Sequence, residues 1–226
     1  MTLTDWRLPF DEPVFHAVNS IGVGWLDAAF VAASSHPFGL ACFLAMTVWL
    51  IVEFRKRALV PAVQLGLTVL LVDRIGAGLI KPWVGRMRPS FALAADSVRV
   101  VAPASNSGSM PSLHSSNAFA VAVVMALLVP KTRWVTFPIA AFIAVSRLGC
   151  GVHWPSDIMA GAVFGSCIAV AVVLPSRKLT RGWKYAPQEK LVVPRPDAPP
   201  APELPPASTV AASVPAPEAK VEAPKS

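Results

Sequence analysis

Three short segments carry residue types suited to handling a phosphate. The first runs Lys81-Pro82-Trp83-Val84-Gly85-Arg86-Met87-Arg88-Pro89, the second Ser109-Met110-Pro111-Ser112-Leu113-His114, and the third from Ser146-Arg147 through His153 to Asp157. Lys81, Arg88 and Arg147 supply fixed positive charge, and the two arginines bring planar forks that match phosphate oxygens. Pro111 suits the first turn of a helix, so the N–H groups around Ser112 and Leu113 are expected to be free at the positive end of its dipole, extending the clamp. His153 precedes Asp157 by four residues, and Pro155 is placed to open a helix between them. A histidine oriented by a carboxylate is a nucleophile or base, and His114 on a facing element is a candidate general acid. In-line displacement at phosphorus needs attack on one side, a protonated leaving oxygen on the other, and cations over the equatorial oxygens. Each role has a residue here. A metal centre would need more carboxylate or imidazole ligands than Asp96 and Asp157 offer in these loops, so neither a metal nor a cofactor is expected.

Such residues have to be held by helices in lipid. Of the 226 residues, 54% are hydrophobic and 15% charged, with mean hydropathy +0.55, which excludes an ordinary soluble domain. Apolar runs at 37–54, 59–80, 113–130, 134–149 and 156–174 each approach the ~20 residues that cross a bilayer as a helix. The expected fold is all-α: a polytopic membrane bundle of five transmembrane helices. Residues 13–33 carry His16, Asn19 and Asp27, which favours an N-terminal interfacial helix; a sixth span results only if they cross. The chain divides into an N-terminal segment 1–36, a membrane domain 37–185 and a Pro/Ala-rich tail 186–226, expected to be disordered.

Nine cations in the short connections (Arg55, Lys56, Arg57, Lys131, Arg133, Arg177, Lys178, Arg181 and Lys184) mark the cytoplasmic side. The phosphate-handling loops and the tail then lie on opposite sides. Trp134 and Trp183 are expected at the inner interface, Trp83 and Trp154 at the outer one. The N-terminal sequence lacks a basic stretch followed by an apolar one, so insertion is expected to use the spans themselves. The net charge of +7 is explained by these loops, and no nucleic-acid or protein partner is expected.

The three segments read K-x6-R-P, P-S-x-H and S-R-x5-H-x3-D, and together they resemble the signature of the type 2 phosphatidic acid phosphatase superfamily, whose core is similar to that of vanadium haloperoxidases. The resemblance covers about residues 75–175. It implies metal-independent hydrolysis of a lipid phosphate or pyrophosphate through a phosphohistidine. His153 would be the nucleophile, Asp157 its partner, His114 the acid, and Lys81, Arg88, Ser112 and Arg147 the phosphate binders. The implied place is a bacterial inner (plasma) membrane, with the site facing the periplasm or exterior. Undecaprenyl pyrophosphate is the favoured substrate; the 1-phosphate of lipid A, phosphatidylglycerophosphate and phosphatidic acid are the alternatives. Leu113 departs from the glycine or aspartate of many relatives, which bears on the head group. The competing class is an anion or lipid transporter that binds phosphate without cleaving it. Transporters, however, place broken helices near the midplane, whereas these polar residues gather at one face.

Other polar residues receive blander roles. His16 and His36 match no motif and are expected at the outer interface without a catalytic part. Asp73 and Arg74, two turns inside a span, are expected to pair or support the bundle. One of Ser115, Ser116 and Asn117 should face the site, though packing is the commoner use. Gly161 and Gly165 suit close helix packing, and Cys42, Cys150 and Cys167 read as small apolar residues.

Overall fold

The computed structural model describes residues 3–105 and 107–180, with side chains to residue 176. The tail expected over 186–226, with Trp183, Arg181 and Lys184, lies outside the described residues. Helix is the regular structure throughout them, apart from one bridge between Thr4 and Arg86. Two short helices come first, α1 (Asp11–Asn19) and α2 (Gly24–Ala33), bent by 118° at the break between them. Next come α3 (His36–Phe54) and α4 (Leu59–Ile75), joined by a tight turn over Arg55–Arg57. The end of α4 widens into a π turn over Gly76–Ile80 and resumes as α5 (Lys81–Val84). Then follow α6 (Pro89–Ala92), α7 (Leu113–Leu128), α8 (Arg133–Gly149) and α9 (Pro155–Thr180).

Local chemistry sets these boundaries. Ser35 Oγ accepts from the Phe38 N–H, with Pro37 in the first turn of α3. Gly85 ends α5 in the left-handed region at φ 57°, open to glycine without strain. Prolines open α6 and α9 at their first positions.

Helix α7 runs through the middle, against α4, α8 and α9. Gly161 and Gly165 allow α9 to press on α7, since a Cβ there would lie 2.6 Å from Ser112 O and 1.9 Å from Ser116 O. This is the packing use expected of the pair. One buried cluster, including Leu50, Leu65, Val124, Met125 and Val173, fills the end near the turn Arg55–Arg57. A second, built on Phe15, Leu148, Trp154 and Ile158, fills the opposite end. Trp154 is fully buried there, donating Nε1–H to Met87 O at 2.9 Å. It is therefore a support beneath the loops and not part of an interfacial belt, where Trp83 and Trp134 remain exposed.

Three stretches are long and apolar enough to cross a membrane, His36–Arg57, Leu59–Val84 and Pro155–Ser176, and the bent pair α1–α2 would make a fourth. α7, at 16 residues, is shorter than the ~20 that cross a bilayer as a helix. The ends of the bundle are distinct. Lys131 lies 3.6 Å from Glu53, bringing the α7–α8 corner to the α3–α4 corner. Both ends of the bent pair touch the other end of the bundle, through Asp11 to Ser156 and Ser34 to Ser146.

Candidate active site

The π turn shifts the register of α4 just before Lys81, and the following turn buries that lysine, whose Nζ donates to Gly108 O at 2.7 Å. Arg88, itself extended just before the Pro89 turn, is the hub of the loop. Its Nε donates to Ser107 O at 3.1 Å and its Nη1 to Val152 O at 3.0 Å, while Nη2 reaches Ser105 Oγ and Ser107 Oγ at 3.2 and 3.3 Å. Nη1 also stands 3.0 Å from His153 Nε2.

That contact assigns the histidine tautomer. A guanidinium can only donate, so His153 Nε2 is an acceptor with its lone pair toward Arg88, and the proton sits on Nδ1. Nδ1 faces Asp157 Oδ2 across a long 3.4 Å. Asp157 Oδ2 also accepts the Trp154 N–H at 2.8 Å, which locks the carboxylate at the start of α9. Burial, followed by the charges of Arg88, Lys81 and Arg147, pushes His153 well below its ordinary value, so its ring is neutral at pH 7. Burial and then Arg147 lower Arg88 to about 10, still cationic at neutral pH.

Arg147, at the end of α8, donates Nη1–H to Ser34 O at 3.4 Å, but its buried Nε has no hydrogen-bond partner among the described residues. The buried Ser112 Oγ has none either. Orphaned donors of this kind are rare and mark a place for a ligand. The Ser112 backbone differs from expectation: its N–H is not free but donates to Asp157 O at 3.0 Å, because Ser112 precedes the first turn of α7 and meets α9 there. The side chain, not that N–H, is the group of Ser112 left without a partner among the described residues.

Lys81, Arg88, His114, Arg147 and His153 all line one cavity of about 1050 Å³. Five of the seven expected residues thus share one cavity, with His114 on α7 and His153 before α9, while Ser112 and Asp157 lie outside its lining. The cavity continues between α3, α4, α7 and α8 past Leu40, Phe43, Met46 and Val121. It joins a polar mouth to an apolar groove. Among the described residues, no three of His, Cys, Asp and Glu come close enough to hold a metal.

Sequence reasoning missed two parts of this site. His36, expected at the interface without a role, lines the cavity and packs edge-on against His114 with ring centres 5.8 Å apart. Arg86, between the two motif cations, is fully buried beneath the site and outside the cavity lining. Its Nη1 donates to Asp157 Oδ1 and Ser156 Oγ, each at 2.7 Å, and its Nη2 to Asp11 Oδ2 at 2.5 Å. Its guanidinium lies 4.3 Å over the Trp6 ring, while Asp11 also accepts from the Ser156 N–H at 2.9 Å. The N-terminal segment therefore closes on the element that carries Asp157. Asn19 fastens it further, donating to Arg99 O at 2.8 Å and to Leu148 O and Gly149 O at 3.2 Å each.

With this geometry in hand, comparison with known proteins is informative. The family described as the PAP2 superfamily matches residues 61–181, more than half of the chain and all three motifs. The lipid A 4'-phosphatase of Bacteroides thetaiotaomicron is 34% identical over 116 residues, 49% of this chain and 51% of that protein. The undecaprenyl-diphosphatase of Sulfolobus acidocaldarius is 27% identical over 167 residues, 72% of this chain and 77% of that one. The chain spans about half the length of the lipid A phosphatases it matches. Among solved structures, LpxE of Aquifex aeolicus shares the fold, with a TM-score of 0.61 at 23% identity over 76% of this chain and 98% of that one.

Proposed function

The chain belongs to the PAP2 superfamily, and from that premise we propose that it is a metal-independent membrane phosphatase acting on a lipid phosphate or diphosphate. The observation that carries this reading is the cavity itself. Three histidines and three cations line it, one of the cations, Arg147, with an unpartnered Nε among the described residues, and the rest of its wall is an apolar groove suited to the substrate's lipid part.

In the first step, His153 Nε2 attacks phosphorus and a P–N bond forms as the bond to the leaving oxygen breaks. His114 gives that oxygen its proton, so the lipid leaves as an alcohol, or as a monophosphate from a diphosphate. Lys81, Arg88, Arg147 and Ser112 hold the equatorial oxygens, and Asp157 stabilises the imidazolium at Nδ1–H. In the second step water attacks phosphorus, the P–N bond breaks, and inorganic phosphate leaves as His114 takes up the water's proton.

Five crossings (α3, α4, α7, α8 and α9) with α1–α2 lying at the outer interface agree with both ends of the bent pair touching the site end. The cation-rich corners at Arg55–Arg57 and Lys131 are then cytoplasmic, and the site faces the periplasm or cell exterior in a bacterial plasma membrane. An outer site suits undecaprenyl diphosphate and lipid A alike, and the named relatives include phosphatases of both.

The test is phosphate release in detergent with EDTA present. Wild type should turn over, His153→Asn should fall below a tenth of that rate, and Asp157→Asn should lose less, since it orients the ring without reacting. Loss of wild-type activity with EDTA that magnesium restores overturns the metal-free mechanism. Binding of phosphate without release favours a transporter.

A further inference from the structure

The apolar groove below the mouth contains a hydrogen-bonded polar pair that the chemistry does not use. Asn117 Nδ2 donates to Asp73 Oδ1 at 2.8 Å, and both residues line the cavity. Asp73, on α4, is exposed, and its surroundings along the groove are Val69, Ala77 and Val121. A carboxylate accepts only, so the Asn117 amide must turn its NH2 toward Asp73. Its carbonyl Oδ1 is left buried, with no partner among the described residues. The pair thus presents a carboxylate oxygen and an amide oxygen, and both require donors.

A carboxylate on an apolar wall inside a membrane bundle is costly and is retained where it pairs or serves a ligand. A bond holding α4 to α7 would not need a charge open to the groove. The depth is telling as well: Asn117 follows His114 by three residues on α7, one turn and about 5 Å below the acid that serves the leaving oxygen. What lies there in a bound substrate is the first few atoms beyond the phosphate ester.

We infer that Asp73 and Asn117 form a specificity subsite for a hydrogen-bond donor, a hydroxyl or amide N–H, on the alcohol part of the lipid phosphate near its ester oxygen. This rests on the phosphatase reading and narrows it. Lipid phosphates built on an amide-bearing or hydroxyl-bearing alcohol satisfy the pair. Polyprenyl diphosphates and diacylglycerol phosphates carry no such donor next to the phosphate and leave both acceptors unpaired.

Two matched lipid pairs test it. The first compares 1-oleoylglycerol 3-phosphate with its 2-deoxy counterpart, which differ by one hydroxyl. The second compares N-oleoylethanolamine phosphate with the corresponding oleoyl ester of ethylene glycol phosphate, which replaces the amide N–H by oxygen. Wild type should favour the donor-bearing member of at least one pair by about tenfold in kcat/KM, the scale of a hydrogen bond to a charged group, and the pair affected identifies the donor. Asp73→Ala should collapse that ratio below threefold, and Asn117→Ala should reduce it in part. The wild-type ratio needs no variant, so misfolding of either cannot hide the answer. Release of phosphate from all four lipids at equal kcat/KM overturns the subsite and leaves the phosphatase standing; so does a preference that Asp73→Ala preserves. Release from none of the four overturns both.

Discussion

Replacing Arg86 should damage the enzyme from beneath without touching its substrate. The guanidinium is fully buried and binds two carboxylates, Asp157 and Asp11, that are themselves inaccessible to solvent. In Arg86→Gln neither acid keeps a cation, and removing one partner of a buried ion pair costs about 3–5 kcal/mol, because the remaining charge is stranded. On the scale of a domain this size, that is a fall on the order of 10 °C in the thermal midpoint. Arg86→Lys should recover only part, since one ammonium cannot reproduce two forks aimed at two acids. Asp11→Asn in the Arg86→Gln background should lose less than the sum of the single changes, because one stranded charge has been removed with its partner. In kinetics, kcat should fall with KM nearly unchanged, as Arg86 is absent from the cavity wall and acts by holding Asp157 behind the His153 ring. The measurements are thermal unfolding in detergent for wild type, Arg86→Gln, Arg86→Lys, Asp11→Asn and the double variant, and steady-state phosphate release. An additive double variant, or a KM that rises at constant kcat, would refute this account.

Two further expectations follow from the same structure. The lowered proton affinity of His153 keeps its nucleophilic lone pair free well into acid, so the acid limb of kcat/KM, corrected for the substrate's own phosphate ionisation, should lie below pH 6.5. Activity is present above that folded-state value and is lost as pH falls through it; a limb above 6.5 contradicts the assignment. For topology, a cysteine placed near Asp96 should react with an impermeant reagent on intact cells while one near Lys178 should not, and the reverse pattern would put the site inside.

How much of this could be read beforehand depends on the kind of information involved. Lys81, Arg88, His114, Arg147, His153 and Asp157 stood out because ionisable side chains are scarce in an apolar chain and these fell at fixed spacings. The long spans announced themselves by the same scarcity. Arg86 did not, since one more arginine in a basic loop looks like its neighbours. A useful clue was available in the acids: Asp11 and Asp157 each need a cation once buried, and counting acids against motif cations would have left Arg86 to serve both. The place of the N-terminal segment was hidden because its polar residues bond to carbonyls some 80 to 130 positions away, as Asn19 does with Arg99, Leu148 and Gly149. Trp154 misled for a related reason: tryptophan marks an interface by composition, but here the ring was needed under Met87 and beside Phe15. Asp73 was recognised as needing a partner, yet nothing in the spacing pointed to Asn117 on another helix.

The clasp of Asp11, Arg86 and Ser156 also bears on the order in which the protein is made. Asp11 is synthesised before Arg86, and Arg86 before Ser156 and Asp157 at the start of α9. On the proposed mechanism, a chain that lacks this helix holds His114, Lys81, Arg88 and Arg147 but not the His153–Asp157 pair. By that same mechanism, activity then follows only once the N-terminal segment and α9 have met across Arg86.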